Sequence, residues 1–173
     1  QMCIRDSRYR TNKSFEDTSR WYHFMYVVDT EQSTADDRMK VYMDGELLTM
    51  SARTNPSLNM DTTVGTDVAY GYGANKLTAA AGGGMFWDGH IAEINHVDGT
   101  ALTPSTFGMT DTATGKWIPK TITGVTYGSA GHRFEFANTA GQTIAHDTSG
   151  NGNNGTITNI VVSDLSTDTP TSN

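Results

Sequence analysis

Three places in this 173-residue chain hold residues whose types and spacing could do chemistry: the run Glu93-Ile94-Asn95-His96-Val97-Asp98, the polar run from Asp147 to Gly155, and the aromatic residues of the connecting segments. Retaining glycoside hydrolysis needs an acid and a nucleophile about 5–5.5 Å apart, which a strand can supply as E-x-D-x-E because alternate side chains share a face. Glu93 and Asn95 would share such a face, but the third position is Val97, and Asp98 turns the other way. Without a matched pair of acids this strand is read as non-catalytic, with Glu93 pairing to a neighbouring strand or to solvent. Nor do the histidines converge along the chain. His90 and His96 are separated by roughly 20 Å of extended backbone, too far to share a metal, and His23, His132 and His146 have no partner at ligand spacing. Gly128-Ser129-Ala130-Gly131 falls short of the G-x-S-x-G nucleophile turn.

The run Asp147-Thr148-Ser149-Gly150-Asn151-Gly152-Asn153-Asn154-Gly155 is richer. Asp147, Ser149 and Asn151 offer oxygens at alternate positions and glycine stands sixth, which opens like a calcium loop, but position twelve is Thr158 instead of a bidentate glutamate. The leading reading is an Asn-Gly turn whose side chains cap their own backbone. Calcium held by Asp147, Ser149 and Asn151 is one alternative, and sugar hydroxyls meeting Asp147, Asn151 and Asn153 are another. Aromatic rings stack on the apolar faces of sugars, so Trp117, Tyr127, Tyr70 and Tyr72, all in connecting segments, are candidate platforms, with packing as the plainer role of each. Trp21 and Trp87 belong to the core.

The elements that must position these residues read as strands. Trp21 to Asp29 is apolar on both faces, as expected for a central strand between two layers. Arg38 to Asp44 alternates, with Met39, Val41 and Met43 inward. Asp44-Gly45 then signals a two-residue hairpin turn, because both central positions of such a turn need positive φ. Residues 51–63 read as a polar connection, Val64-Gly65 as the start of another strand, and Gly71 to Gly84 as a surface loop that lacks the phosphate-binding pattern. Phe86 to Gly99 reads as a strand closing in an Asp98-Gly99 turn. Thr103 to Gly108 has the cap, proline and glycine of one helical turn. Trp117-Ile118-Pro119 is extended, His132 to Phe136 is a strand with Phe134 and Phe136 on one face, and Gly155 to Val162 holds the last strand. Residues 163–173 are a polar linker or tail.

The composition agrees with many short strands and turns: 36% hydrophobic residues, 18% charged residues and 18 glycines. A net charge of -7 disfavours phosphate backbones and anionic membranes, leaving neutral glycans and divalent cations open. No run reaches the ~20 apolar residues of a membrane-spanning helix. The single cysteine, Cys3, excludes a disulfide framework and a cysteine zinc site. Residues 1–7 look like an adapter-derived leader of the kind found on environmental sequence fragments, so the domain is expected over residues 8–162.

Three stretches together resemble the laminin G-like pattern of the concanavalin A-like superfamily. They are Trp21-Tyr22-His23 with Val41-Tyr42-Met43-Asp44-Gly45, then Phe86-x-x-Gly89-x-Ile91-Ala92-Glu93, then Asp147 to Asn153. Asp98 to Gly108, Trp117 to Lys120 and Asp168 to Thr171 are similar to domains of this superfamily in tailed-phage virion proteins. The resemblance implies an all-β fold, an antiparallel two-sheet β-sandwich of the jelly-roll kind. Strands that usually precede Trp21 are missing, which implies N-terminal truncation. It also implies a place on a virion or extracellular surface among other virion or tail proteins. Three functions follow as expectations: a non-catalytic module contacting host surface polysaccharide, a structural spacer without ligand, and a glycoside hydrolase like the laminarinases that share this fold, with catalytic acids in the missing part. No nucleic acid partner and no membrane insertion are expected.

Overall fold

A computed structural model describes residues 8–61, 89–157 and 159–170. These residues are all-β, with every paired strand antiparallel and no α-helix among them. The strands are β1 (Arg8–Thr11), β2 (Phe24–Val28), β3 (Met39–Met43), β4 (Glu46–Leu47), β5 (Met50–Thr54), β6 (Ile94–His96), β7 (Gly108–Thr110), β8 (Trp117–Pro119) and β9 (His132–Phe134). Single 3-10 turns occupy Ala35–Asp37, Pro104–Thr106 and Val162–Asp164. Two compact units carry the strands: residues 8–61 with 101–125 hold β1 to β5, β7 and β8, and residues 89–100 with 126–169 hold β6 and β9.

The first unit is built on the sheet β2-β3-β4. Val41 and Met43 alternate inward on β3, and with Leu48 they form a buried cluster against which Tyr9, Tyr22, Phe24 and Met50 pack. Each such side chain contributes about 1.5–3 kcal/mol on burial. The hairpin turns at Asp44 (φ 50°) and Gly45 (φ 83°), the double left-handed geometry that Asp-Gly favours. Asp44 also ties the turn down: its Oδ1 accepts from the His23 backbone N–H at 2.9 Å, and Arg20 pairs with its Oδ2. Any side chain at Gly45 would overlap the ring of Trp117, so this turn position needs glycine for space as well as for φ.

Several expectations need correction. Tyr26 and Val28 are exposed, Tyr26 by 62%, so their face of β2 is not covered, and among the described residues β2 pairs only with β3 at the margin of its sheet. Its aromatic and β-branched content reflects strand propensity instead of burial on both sides. The polar connection expected from residue 51 contains β5, which pairs with β1 in register from Arg8↔Thr54 to Thr11↔Met50. Both faces of that ribbon are largely wet, so no apolar alternation marked it. Trp117–Pro119 is extended as expected but is also a paired strand, joined to β7. The helical turn at Pro104–Thr106 is present, although the Thr103 side chain does not cap it, and Gly108 opens β7 instead of ending the turn.

In the second unit β6 and β9 form one short ribbon, with Ile94↔Phe134, Asn95↔Arg133 and His96↔His132 in register. The strand expected from Phe86 is reduced, within the described residues, to three residues, and β9 stops at Phe134 because Phe136 takes φ 52°. In the segment 155–162 the described residues form no paired strand. Ile160, Val161 and Val162 stand exposed, and Val162 starts a 3-10 turn. The strand expected at Val64-Gly65, the loop Gly71 to Gly84, Tyr70, Tyr72 and Trp87 lie outside the described residues.

Candidate functional site

Among the described residues of the second unit Asp147 is the buried charged one, 4% exposed, and the 147–153 turn is organised around it. Gly150 (φ 96°) and Gly152 (φ 76°) fold the chain back so that successive N–H groups point inward. Asp147 Oδ1 accepts from the N–H of Arg133 at 2.8 Å and of Ser149 at 2.9 Å, and Oδ2 accepts from the N–H of Asn153 at 2.8 Å. Its own N–H donates to Asn154 Oδ1 at 2.8 Å. Burial pushes the Asp147 carboxyl up, but the N–H groups of Arg133, Ser149 and Asn153 with the Ser149 hydroxyl outweigh it and hold it below the ordinary carboxylate value.

Two amides extend this turn into a clasp. Asn151 Nδ2 donates to the carbonyls of Gly128 and Gly131 at 2.6 and 2.9 Å, and Asn153 Nδ2 donates to those of Ser129 and Gly131, both at 2.9 Å. The 128–131 bend is thus held by four side-chain donations. On the other side, the Thr148 N–H donates to the Arg133 carbonyl at 2.9 Å, and Asp147 bridges to Phe134 of β9. The expected self-capping turn describes the contacts of Asp147, Ser149 and Asn154 within the loop, whereas the Asn151 and Asn153 amides reach outside it to the 128–131 carbonyls. A calcium site does not fit it. The Asp147 oxygens face N–H dipoles that would repel a cation, Ser149 Oγ accepts from the Asn151 N–H at 3.3 Å, and Asn151 turns its amide nitrogen inward. Among the described residues no cluster of three His, Cys, Asp or Glu side chains occurs.

Of the four aromatic candidates, Tyr127 and Trp117 are described, the first buried and the second half-buried. Tyr127 is buried at 8% exposure, its hydroxyl donating to Asn95 Oδ1 at 2.7 Å, so it is a core residue and not an exposed platform. Desolvation raises its hydroxyl above the ordinary tyrosine value, with the Arg133 charge opposing. Trp117, in the first unit, stacks on His23 at 5.8 Å and fills the space above Gly45 and Gly108. No family model, curated protein or solved structure matches the chain. The case for a function therefore rests on this chain's own geometry and on the motifs it carries.

Glu93 pairs as expected with a neighbouring strand. Its Oε1 accepts from Arg133 Nε at 2.8 Å and from Asn95 Nδ2 at 3.2 Å, while the same guanidinium meets Glu135 at 2.9 Å. Two carboxylates thus share one guanidinium across the ribbon. Sequence reading missed Arg133 and Glu135 because their meeting with Glu93 depends on which strand β6 pairs with. It missed the stacking of His96 on His132 for the same reason. The local signal that was available is the Asn151-x-Asn153 spacing, which puts two amides on one side of a turn.

Two surface hollows lie in the first unit. One of about 150 Å³ beside the hairpin has a charged rim closed on itself: Arg53 pairs with Asp36 at 2.9 Å and Lys40 with Asp37 at 3.0 Å. An open depression of about 330 Å³ at Asn12, Lys13 and residues 46–49 has no aromatic lining.

Proposed function

We propose that the chain is a non-catalytic structural module of the concanavalin A-like jelly-roll kind, belonging to a tailed-phage virion or tail protein at the virion surface. One observation carries the structural reading: the polar residues best placed for a ligand are already spent on the chain itself. Asp147 takes three backbone N–H groups, and Asn151 and Asn153 hold four carbonyl contacts in the 128–131 bend. A hydrogen-bond network anchored on one buried, fully satisfied carboxylate rigidifies a loop and specifies one arrangement of it. The jelly-roll and virion assignments draw their support from the motifs described above, and the antiparallel all-β character is what such a domain requires.

A second reading, contact with host surface polysaccharide, is favoured by the exposure of Asn151 and Asn153, whose hydrogen bonds to the bend use only their amide nitrogens. A glycan array with thermal denaturation of Asn151→Ala and Asn153→Ala separates the two. The structural reading expects a silent array and lowered Tm in both variants. Glycan binding that either substitution abolishes while Tm stays at the parent value would replace it with recognition.

A further inference from the structure

The face of the β6–β9 ribbon opposite Glu93 and Arg133 carries a column of rings. His96 and His132 are directly opposed in the ladder, their centroids 5.1 Å apart and their planes 22° from parallel. His132 stacks in turn on Phe134 at 4.5 Å and 22°. Phe134 is buried, and it is the β9 residue bridged to Asp147. Three registered pairs make up this ribbon, and a two-stranded ribbon of such length is marginal without side-chain support. One of its three cross-strand pairs is therefore made of two ionisable rings. Neutral imidazoles stack favourably, whereas like charges directly opposite across a ladder repel.

We propose that His96 and His132 form an acid-operated latch: protonation of the stacked pair parts β6 from β9 and, because Arg133 and Phe134 seat Asp147, loosens the 147–153 turn with it. The surroundings of the pair support this direction. Burial is the main cause that lowers both imidazoles below the ordinary value of 6.5, and the proximity of His96 lowers His132 further. Asp98 opposes this at His96, and the Ala130 backbone and Asp147 oppose it at His132, without reversing it. Glu93, Arg133 and Glu135 lie on the opposite face of the ribbon, where one guanidinium meets two carboxylates and a single negative charge is left over. In the unfolded chain these histidines titrate near ~6.5, so below that pH the unfolded state binds more protons and stability falls. Above it the stabilisation is complete.

The test is amide exchange of Arg133, Thr148 and Asn153, expressed as protection factors, at about pH 7.5 and about pH 5.5. The wild-type chain is expected to lose about tenfold protection at these amides on acidification, while Leu48 in the first unit keeps its protection. The double variant His96→Phe with His132→Phe preserves stacked rings without charge, and its protection is expected to be independent of pH over this range. Equal protection of the wild type at both pH values, or equal loss in wild type and double variant, overturns the latch. If the double variant does not fold, imidazole chemical shifts of the wild type decide. Titration below the ordinary histidine value together with broadening of the β9 amides supports the proposal, and titration that leaves those amides unmoved refutes it.

Discussion

The two units of the molecule are held by opposite means. In the first, a hairpin buries Val41, Met43 and Leu48 under partly buried Tyr9, Tyr22, Phe24 and Met50. In the second, Phe134, Tyr127 and Ala145 are the buried apolar residues among those described, and the organising group among them is a carboxylate, Asp147, with three backbone N–H donors. The contrast matters because apolar contacts are non-directional and tolerate substitution of similar volume, whereas a buried carboxylate stabilises only while every partner is in place. A loop built on the second plan is more specific in shape and more sensitive to the loss of one atom.

The comparison can be broken most directly at its apolar pole. Met43→Ala removes a side chain that is 4% exposed and leaves a cavity, so chemical denaturation is expected to show a loss of about 2–5 kcal/mol. A loss under about 1 kcal/mol would mean that the cluster is not what holds the hairpin. At the polar pole, Asp147→Ala orphans three backbone N–H groups, each an unsatisfied donor costing about 1–3 kcal/mol where water cannot reach it; with partial rehydration of the turn a net loss of about 2–4 kcal/mol is expected. Acid sharpens the same point. The carboxyl is held below its ordinary value of 3.8, so its contribution is complete above that pH and disappears as pH falls through the lower folded value. Denaturation between about pH 5 and about pH 2 should therefore show a loss that Asp147→Asn no longer shows; identical acid profiles would place the sensitivity elsewhere.

How much was legible follows the same division. The hairpin could be read because its determinants are local: inward Met39, Val41 and Met43 alternate along one strand, and Asp44-Gly45 specifies its own dihedral angles. The self-capping turn at Asp147 was legible for a similar reason, since Asp, Asn and Gly at short spacing satisfy their own backbone. What that turn grips was not, because the carbonyls of Gly128, Ser129 and Gly131 are some twenty residues away. Tyr127 looked available because it sits outside any strand, yet a connector next to a ribbon can bury its ring as fully as a strand does. The misplaced last strand at 155–162 shows the converse. Ile157, Ile160, Val161 and Val162 carry strand propensity, but propensity without a partner edge left no paired strand among the described residues there.

Smaller substitutions grade the clasp itself. Asn151→Ala and Asn153→Ala each remove two donations made by exposed side chains, one of them to the carbonyl of buried Gly131, so losses of about 1 kcal/mol apiece are expected, below that of Asp147→Ala. Because both amides reach the carbonyl of Gly131, the double variant should depart from the sum of the singles. Strict additivity would show that the two amides act as separate caps and not as one clasp.

The smallest effect is expected at Glu93, and it also tests the enzymatic alternative. The Glu93 and Arg133 side chains keep roughly a quarter to a third of their exposure, so their ion pair is screened by solvent, and Glu93→Gln, which retains an acceptor oxygen, should cost no more than about 0.5 kcal/mol. That cost should shrink at high salt, since partly exposed pairs are screened within about 10 Å at 0.1 M ionic strength. The competing outcome is chemical. If the chain hydrolyses a β-glucan and Glu93→Gln abolishes the hydrolysis without moving the denaturation midpoint, then the carboxylate is poised for substrate and its ion pair with Arg133 is a resting state. A small salt-dependent loss with no hydrolysis in either protein leaves Glu93 as the outer tie of the β6–β9 ribbon, the exposed counterpart of what Asp147 does from within.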